Sequence, residues 1–117
     1  METIYLDSKY RGANSNCFTG RKEGQEARKE LKLDEKDSDS NSYAIQIPAS
    51  TTSFNASFYL GLLFASIAKF RTMEAFDAKY VIKYDALEEE LKPIIKANID
   101  ECRRKAANEL VGSTGLD

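Results

Sequence analysis

SFNASFYLGLLF, residues Ser53–Phe64, is the most apolar stretch of a polar chain. Its reading decides the fold. The apolar or small run goes on to Ala68. A membrane span needs about 20 such residues, so this run is too short to be one. Phe58, Leu62 and Ala65 recur at helical spacing, and Tyr59, Leu63 and Ile67 form the neighbouring face. A helix apolar around most of its circumference is sandwiched inside a fold or forms an oligomer face. Asn55 is a good N-cap for it, because its side chain can accept from the next backbone N–H groups.

Around this helix the chain alternates. TIYL (Thr3–Leu6), YAIQI (Tyr43–Ile47) and AKYVIKY (Ala78–Tyr84) read as strands. A helix from about Gly20 to Lys32 is expected, with Thr19 as N-cap and Gly20 and Gly24 on one face for close approach to a sheet. Arg71–Asp77 reads as a connector. Pro93 suits a helix start and not an interior, so a turn over Leu87–Lys92 should precede a long C-terminal helix. Ile95, Ile99, Cys102, Ala106 and Leu110 mark its inner stripe. The order strand, helix, strand, helix, strand, helix predicts one α/β domain over residues 1–117, a small, partly parallel sheet of three to four strands with helices packed on it. Residues 34–42, DEKDSDSNS, are expected to be a mobile polar loop, and residues 112–117 a frayed tail.

Composition narrows the function. The 117 residues carry 42% apolar and 31% charged side chains and a formal net charge of -2. That is the balance of an ordinary globular domain without the basic surplus of a nucleic-acid binder. METIYLDSKYRG lacks the apolar core of a signal peptide, so a cytoplasmic location with no membrane association is expected. Histidine is absent, which excludes Ser-His and Cys-His nucleophile arrangements within this chain and the commonest metal ligand. The two cysteines, Cys17 and Cys102, form no C-x-x-C pair. NASFY lacks the glycines of a nucleophile elbow. No enzyme, no metal site and no cofactor are expected.

Three features carry a resemblance: Arg21-Lys22-Glu23-Gly24 at a helix start, Ser57-Phe58 with Gly61 and Phe64 following, and the strand and helix from Ala78 to Asn108. Together they resemble the STAS-like domains, relatives of the sulphate transporter and anti-sigma factor antagonist fold. The chain departs from them at Gln46–Thr51, where such domains commonly carry an acidic residue and a glycine. The resemblance implies a STAS-like sheet with the last helix C-terminal. It also implies a regulatory protein-protein interaction domain, an antagonist of a histidine-kinase-like ATPase or anti-sigma factor switched by phosphorylation.

The implied phosphoacceptor is Ser57, followed by Ser53 and Thr52. The first turn of a helix tolerates such a charge, because its free N–H groups and dipole favour anions. Equally, Ser and Asn are what any helix start looks like, and Ser57 could face water or the core. Phe58, Tyr59 and Arg21 are the candidate docking residues, although Arg21 and Lys22 also read as plain surface charge. Arg103-Arg104-Lys105 and Glu88-Glu89-Glu90 read as solvated or helix-end charge. The alternative function is a structural subunit of a bacterial defence or phage-encoded system, a homodimer formed through the apolar helix.

Overall fold

The computed structural model of the chain describes residues 1–12 and 15–114, the side chains of the last two excepted. The strands are β1 (Glu2–Tyr5), β2 (Cys17–Phe18), β3 (Tyr43–Gln46), β4 (Ser53–Phe54) and β5 (Tyr80–Lys83). The α-helices are α1 (Arg21–Glu30), α2 (Leu33–Asp37), α3 (Ala56–Phe70), α4 (Met73–Lys79) and α5 (Lys92–Thr114). The expected α/β architecture is present: a small parallel sheet, helices packed on it, and a C-terminal helix last.

The main sheet has the order β1-β3-β5, and both pairings are parallel. The register places Ile4, Ile45 and Ile82 in one row. Side chains alternate across a strand, so Tyr43 and Tyr80 share that face, and their rings stack at 5.8 Å. The tyrosines, Ile4 and Ile45 are buried beneath the helices. β2 and β4 form a second, two-residue parallel ladder. It is too short to show as a sequence pattern.

α3 is the central helix. Phe58, Tyr59, Leu62, Leu63 and Ile67 are completely buried, as the helical periodicity requires. Ala65, expected on an inner face, is exposed. At Gly24 and Gly61, α1 crosses α3 with no room for a side chain at either position. A Cβ on Gly24 would lie 2.3 Å from the Phe58 carbonyl, and one on Gly61 would lie 2.1 Å from the Arg21 carbonyl. Gly24 therefore meets a helix and not the sheet. The inner stripe of α5 closes the other side, with Ile95, Ile99, Cys102, Ala106 and Leu110 all buried.

Several expectations are corrected. The N-cap of α1 is Gly20 at φ 94, and it makes no side-chain cap. Thr19 is exposed. Residues 34–42 are no bare connection, because α2 takes up their first part and Asp37 is buried. Arg71–Asp77 is largely helical as α4, capped by the Thr72 hydroxyl on Ala75 N–H. The third strand accordingly starts at Tyr80. α5 runs to Thr114, and the rest of the expected tail lies outside the described residues. Among the described residues, no helix is long and apolar enough to cross a membrane.

Candidate interaction site at the front of α3

β4 leads directly into α3 through Asn55, whose extended backbone (φ -85, ψ 145) turns the chain into the helix. Asn55 Oδ1 accepts from Ser57 N–H at 2.8 Å, as expected of the cap. It also accepts from the Ser57 hydroxyl at 2.6 Å. The Ser57 hydroxyl in turn accepts from Gly20 N–H at 3.1 Å. One half-exposed oxygen thus ties the starts of α1 and α3 together. Ser57 faces neither open water nor the core; it sits in the seam between two helix N-termini, whose dipoles favour negative charge.

The other hydroxyls lie just upstream. Thr52 is exposed, and its hydroxyl lies 3.4 Å from the Asn16 carbonyl and 3.5 Å from Cys17 Sγ. Ser53 is half-buried and lines a cavity of about 330 Å³ shared with Asn98, Glu101 and Lys105 of α5. Asn98 holds this strand end by accepting from Phe54 N–H at 2.8 Å. Thr51 is buried and donates to the Pro48 carbonyl while accepting from Arg11. Cys17 and Cys102 are both free thiols. Hydrogen bonds from Ser53 and Thr52 hold the Cys17 thiol below its ordinary value, whereas burial pushes Cys102 up to about 12.

The remaining candidates separate. Phe58 and Tyr59 are 0% exposed, so neither can meet a partner; both are core residues. Arg21 is exposed at the start of α1 and pairs with Glu109 of α5 at 3.0 Å. The basic cluster does not act as a unit. Arg103 makes two bonds to Asp77 at 2.7 and 2.8 Å, and Arg104 turns to Glu101. Glu88 precedes α5 and accepts from Ser50 N–H and the Ser50 hydroxyl.

Sequence reasoning missed a second polar cluster, at the far end of α3. Buried Arg28 donates to Asp37 at 2.7 Å, to the Ser66 hydroxyl at 2.8 Å and to the Leu62 carbonyl at 3.0 Å. Ser66 and Tyr80 donate to Asp37 at 2.7 and 2.6 Å. The available signal was Ser66 itself, a polar residue among apolar ones. Nothing local marked Arg28 or Asp37 as its partners.

Comparison of the chain with family models, curated proteins and solved structures found no match.

Proposed function

We propose that this chain is a non-enzymatic regulatory interaction domain whose docking surface is controlled by phosphorylation of Ser57. The observation that carries the reading is the position of the Ser57 hydroxyl, half-exposed and shared between Gly20 N–H and Asn55. Transfer of the ATP γ-phosphoryl to this oxygen forms the ester and leaves ADP, with the hydroxyl proton passing to the partner's base. The ester oxygen can no longer donate to Asn55. The new dianion gains the N–H groups at the two helix starts, a recurrent anion environment. The Glu23 carboxylate folds over Gly20, close enough to meet any side chain placed there. Repulsion from a phosphate would displace it, reshaping the α1–α3 seam without disturbing Phe58 behind it.

The partner implied by the STAS-like resemblance is a histidine-kinase-like ATPase. Thr52 and Ser53 are weaker acceptors: Thr52 is turned towards Asn16 and Cys17, and Ser53 sits in the α5 cavity. The assembly alternative has no docking face at Phe58 or Tyr59, because the core uses both. The test is mass spectrometry of the chain recovered from its native cells, beside Ser57→Ala, Ser53→Ala and Thr52→Val. One phosphate is expected in the parent chain, lost only in Ser57→Ala. Its absence from the parent overturns the reading, and its loss in either other variant moves the acceptor.

A further inference from the structure

Tyr5, Gln46 and Lys83 are the last residues of β1, β3 and β5, and the parallel register sets them in one row. Alternation turns this row to the face opposite Ile4, Ile45 and Ile82, away from the helices, and Tyr5 is 73% exposed. A hollow of about 380 Å³ opens here. Strand ends and loops line it, without a residue of any helix. The carboxyl ends of parallel strands are where open α/β sheets hold their ligands. Small-molecule pockets usually span about 300–1,000 Å³, a range that includes this one.

Two kinds of surface meet in the hollow. Leu6, Pro48, Ala86 and the ring of Tyr5 supply apolar contacts. Gln46, Lys83 and Asp85 are its polar groups. Gln46 is only 9% exposed, and two carbonyls orient its side-chain nitrogen, that of Ile47 at 3.3 Å and that of Lys83 at 3.5 Å. The Gln46 Oε1 atom therefore points the other way, and no donor reaches it among the described residues. Arg11 Nε and the Tyr59 hydroxyl are the unpartnered side-chain atoms sealed from solvent among those residues; Gln46 Oε1 is not one of them, so a ligand can reach it. Lys83 Nζ stands 3.6 Å from Asp85 Oδ2, beyond ordinary hydrogen-bond distance, with the side chains 42% and 75% exposed. An exposed pair of this kind contributes little, so a ligand that comes between its members forfeits little. The hollow thus offers a cation, an anion and a neutral acceptor beside an apolar wall.

We infer that this hollow binds a free α-amino acid with an apolar side chain. The ligand's carboxylate pairs with Lys83, its ammonium donates to Asp85 and Gln46 Oε1, and its side chain lies against Tyr5 and Pro48. An α-amino acid carries both charged groups on one carbon, which suits a cation and an anion set so close together. A plain acid would meet Lys83 but face Asp85, and a plain amine would meet Asp85 but face Lys83. The site is separate from Ser57 and does not rest on the phosphorylation reading. The test is an NMR titration of the intact chain with leucine, phenylalanine, N-acetylleucine, leucinamide and glutamate. Leucine and phenylalanine are expected to shift the Gln46, Lys83 and Ala86 signals saturably. N-acetylleucine and leucinamide should each bind about tenfold more weakly, the effect of one charge-assisted hydrogen bond. Gln46→Met should weaken leucine by a similar factor. Lys83→Gln, at an exposed side chain that folding does not depend on, should erase the preference for leucine over leucinamide even if Gln46→Met fails to fold. The inference is overturned if neither leucine nor phenylalanine binds saturably at these signals, or if glutamate, N-acetylleucine or leucinamide binds as tightly as leucine. A preference over leucinamide that survives Lys83→Gln, or a folded Gln46→Met chain that binds leucine as the parent does, would also overturn it.

Discussion

Ser66 lies towards the C-terminal end of α3, 0% exposed, with its hydroxyl committed to two charged side chains. Ser57, in the first turn of the same helix, is half-exposed and shares its hydroxyl between a cap and a backbone amide. Both side chains join α3 to α1: Ser66 through Arg28, Ser57 through Gly20. The chemistry is alike and the surroundings differ. Around Ser66 water is excluded, so every polar group needs a protein partner and loss of one strands the others. Around Ser57 water can replace a lost partner, so the hydroxyl is free to be exchanged or modified. Position along one helix thus separates a hydroxyl whose partners are all buried from one that water can also serve.

The largest effect should follow from removing the anion at the rear end. Asp37→Ala leaves Arg28 buried with only the exposed Asp34 opposite it. A loss of about 3–5 kcal/mol is expected in urea unfolding, the usual consequence of orphaning a buried charge. A loss no greater than that of an exposed ion pair would break the contrast. Ser66→Ala removes a donor to Asp37 and an acceptor for Arg28. It should cost about 2 kcal/mol by the same measurement, because both partners stay buried.

Ser57→Ala keeps the Asn55 side chain on the Ser57 backbone amide and exposes Gly20 N–H to water. The expected loss is about 1 kcal/mol, smaller than that for Ser66→Ala. If the two alanine variants prove equally destabilising, the front of α3 is as structural as the rear.

The smallest effect concerns pH. Lys79 and Tyr43 bond the Asp39 carboxylate and hold its carboxyl at about 2. A depressed carboxyl stabilises the fold above its unfolded value and loses that contribution as pH falls towards the folded one. Stability measured by urea unfolding should therefore decline from about pH 4 to about pH 2, and Asp39→Asn should flatten part of that decline.

Much of this was legible in the linear pattern. The alternation in YAIQI, the apolar periodicity of Phe58–Ile67 and the stripe from Ile95 to Leu110 located β3, α3 and α5, because burial imposes the period of each element. Asn55 was readable as a cap because its partner is two residues away. Gly24 and Gly61 are less transparent. Their spacing signals close approach without naming the surface approached, and only the crossing of α1 over α3 identifies it. α2 and α4 were missed because such short helices need few apolar residues; tertiary contacts hold them, with Asp37 bonded by Arg28 and Asp77 by Arg103. At the site, the candidate hydroxyls were readable, but the burial of Phe58 and Tyr59 was not separable from an oligomer face.

The sequence by itself determined the class of fold, the central helix with its cap, and the absence of histidine chemistry. These follow from composition and from interactions between near neighbours. Only the tertiary structure decided which face of α3 is covered, that Ser57 meets Gly20, and that Arg28 finds Asp37 and Ser66. Each of these depends on residues far apart in the chain. Their meeting is set by packing of whole elements, a constraint that leaves no local period in the sequence.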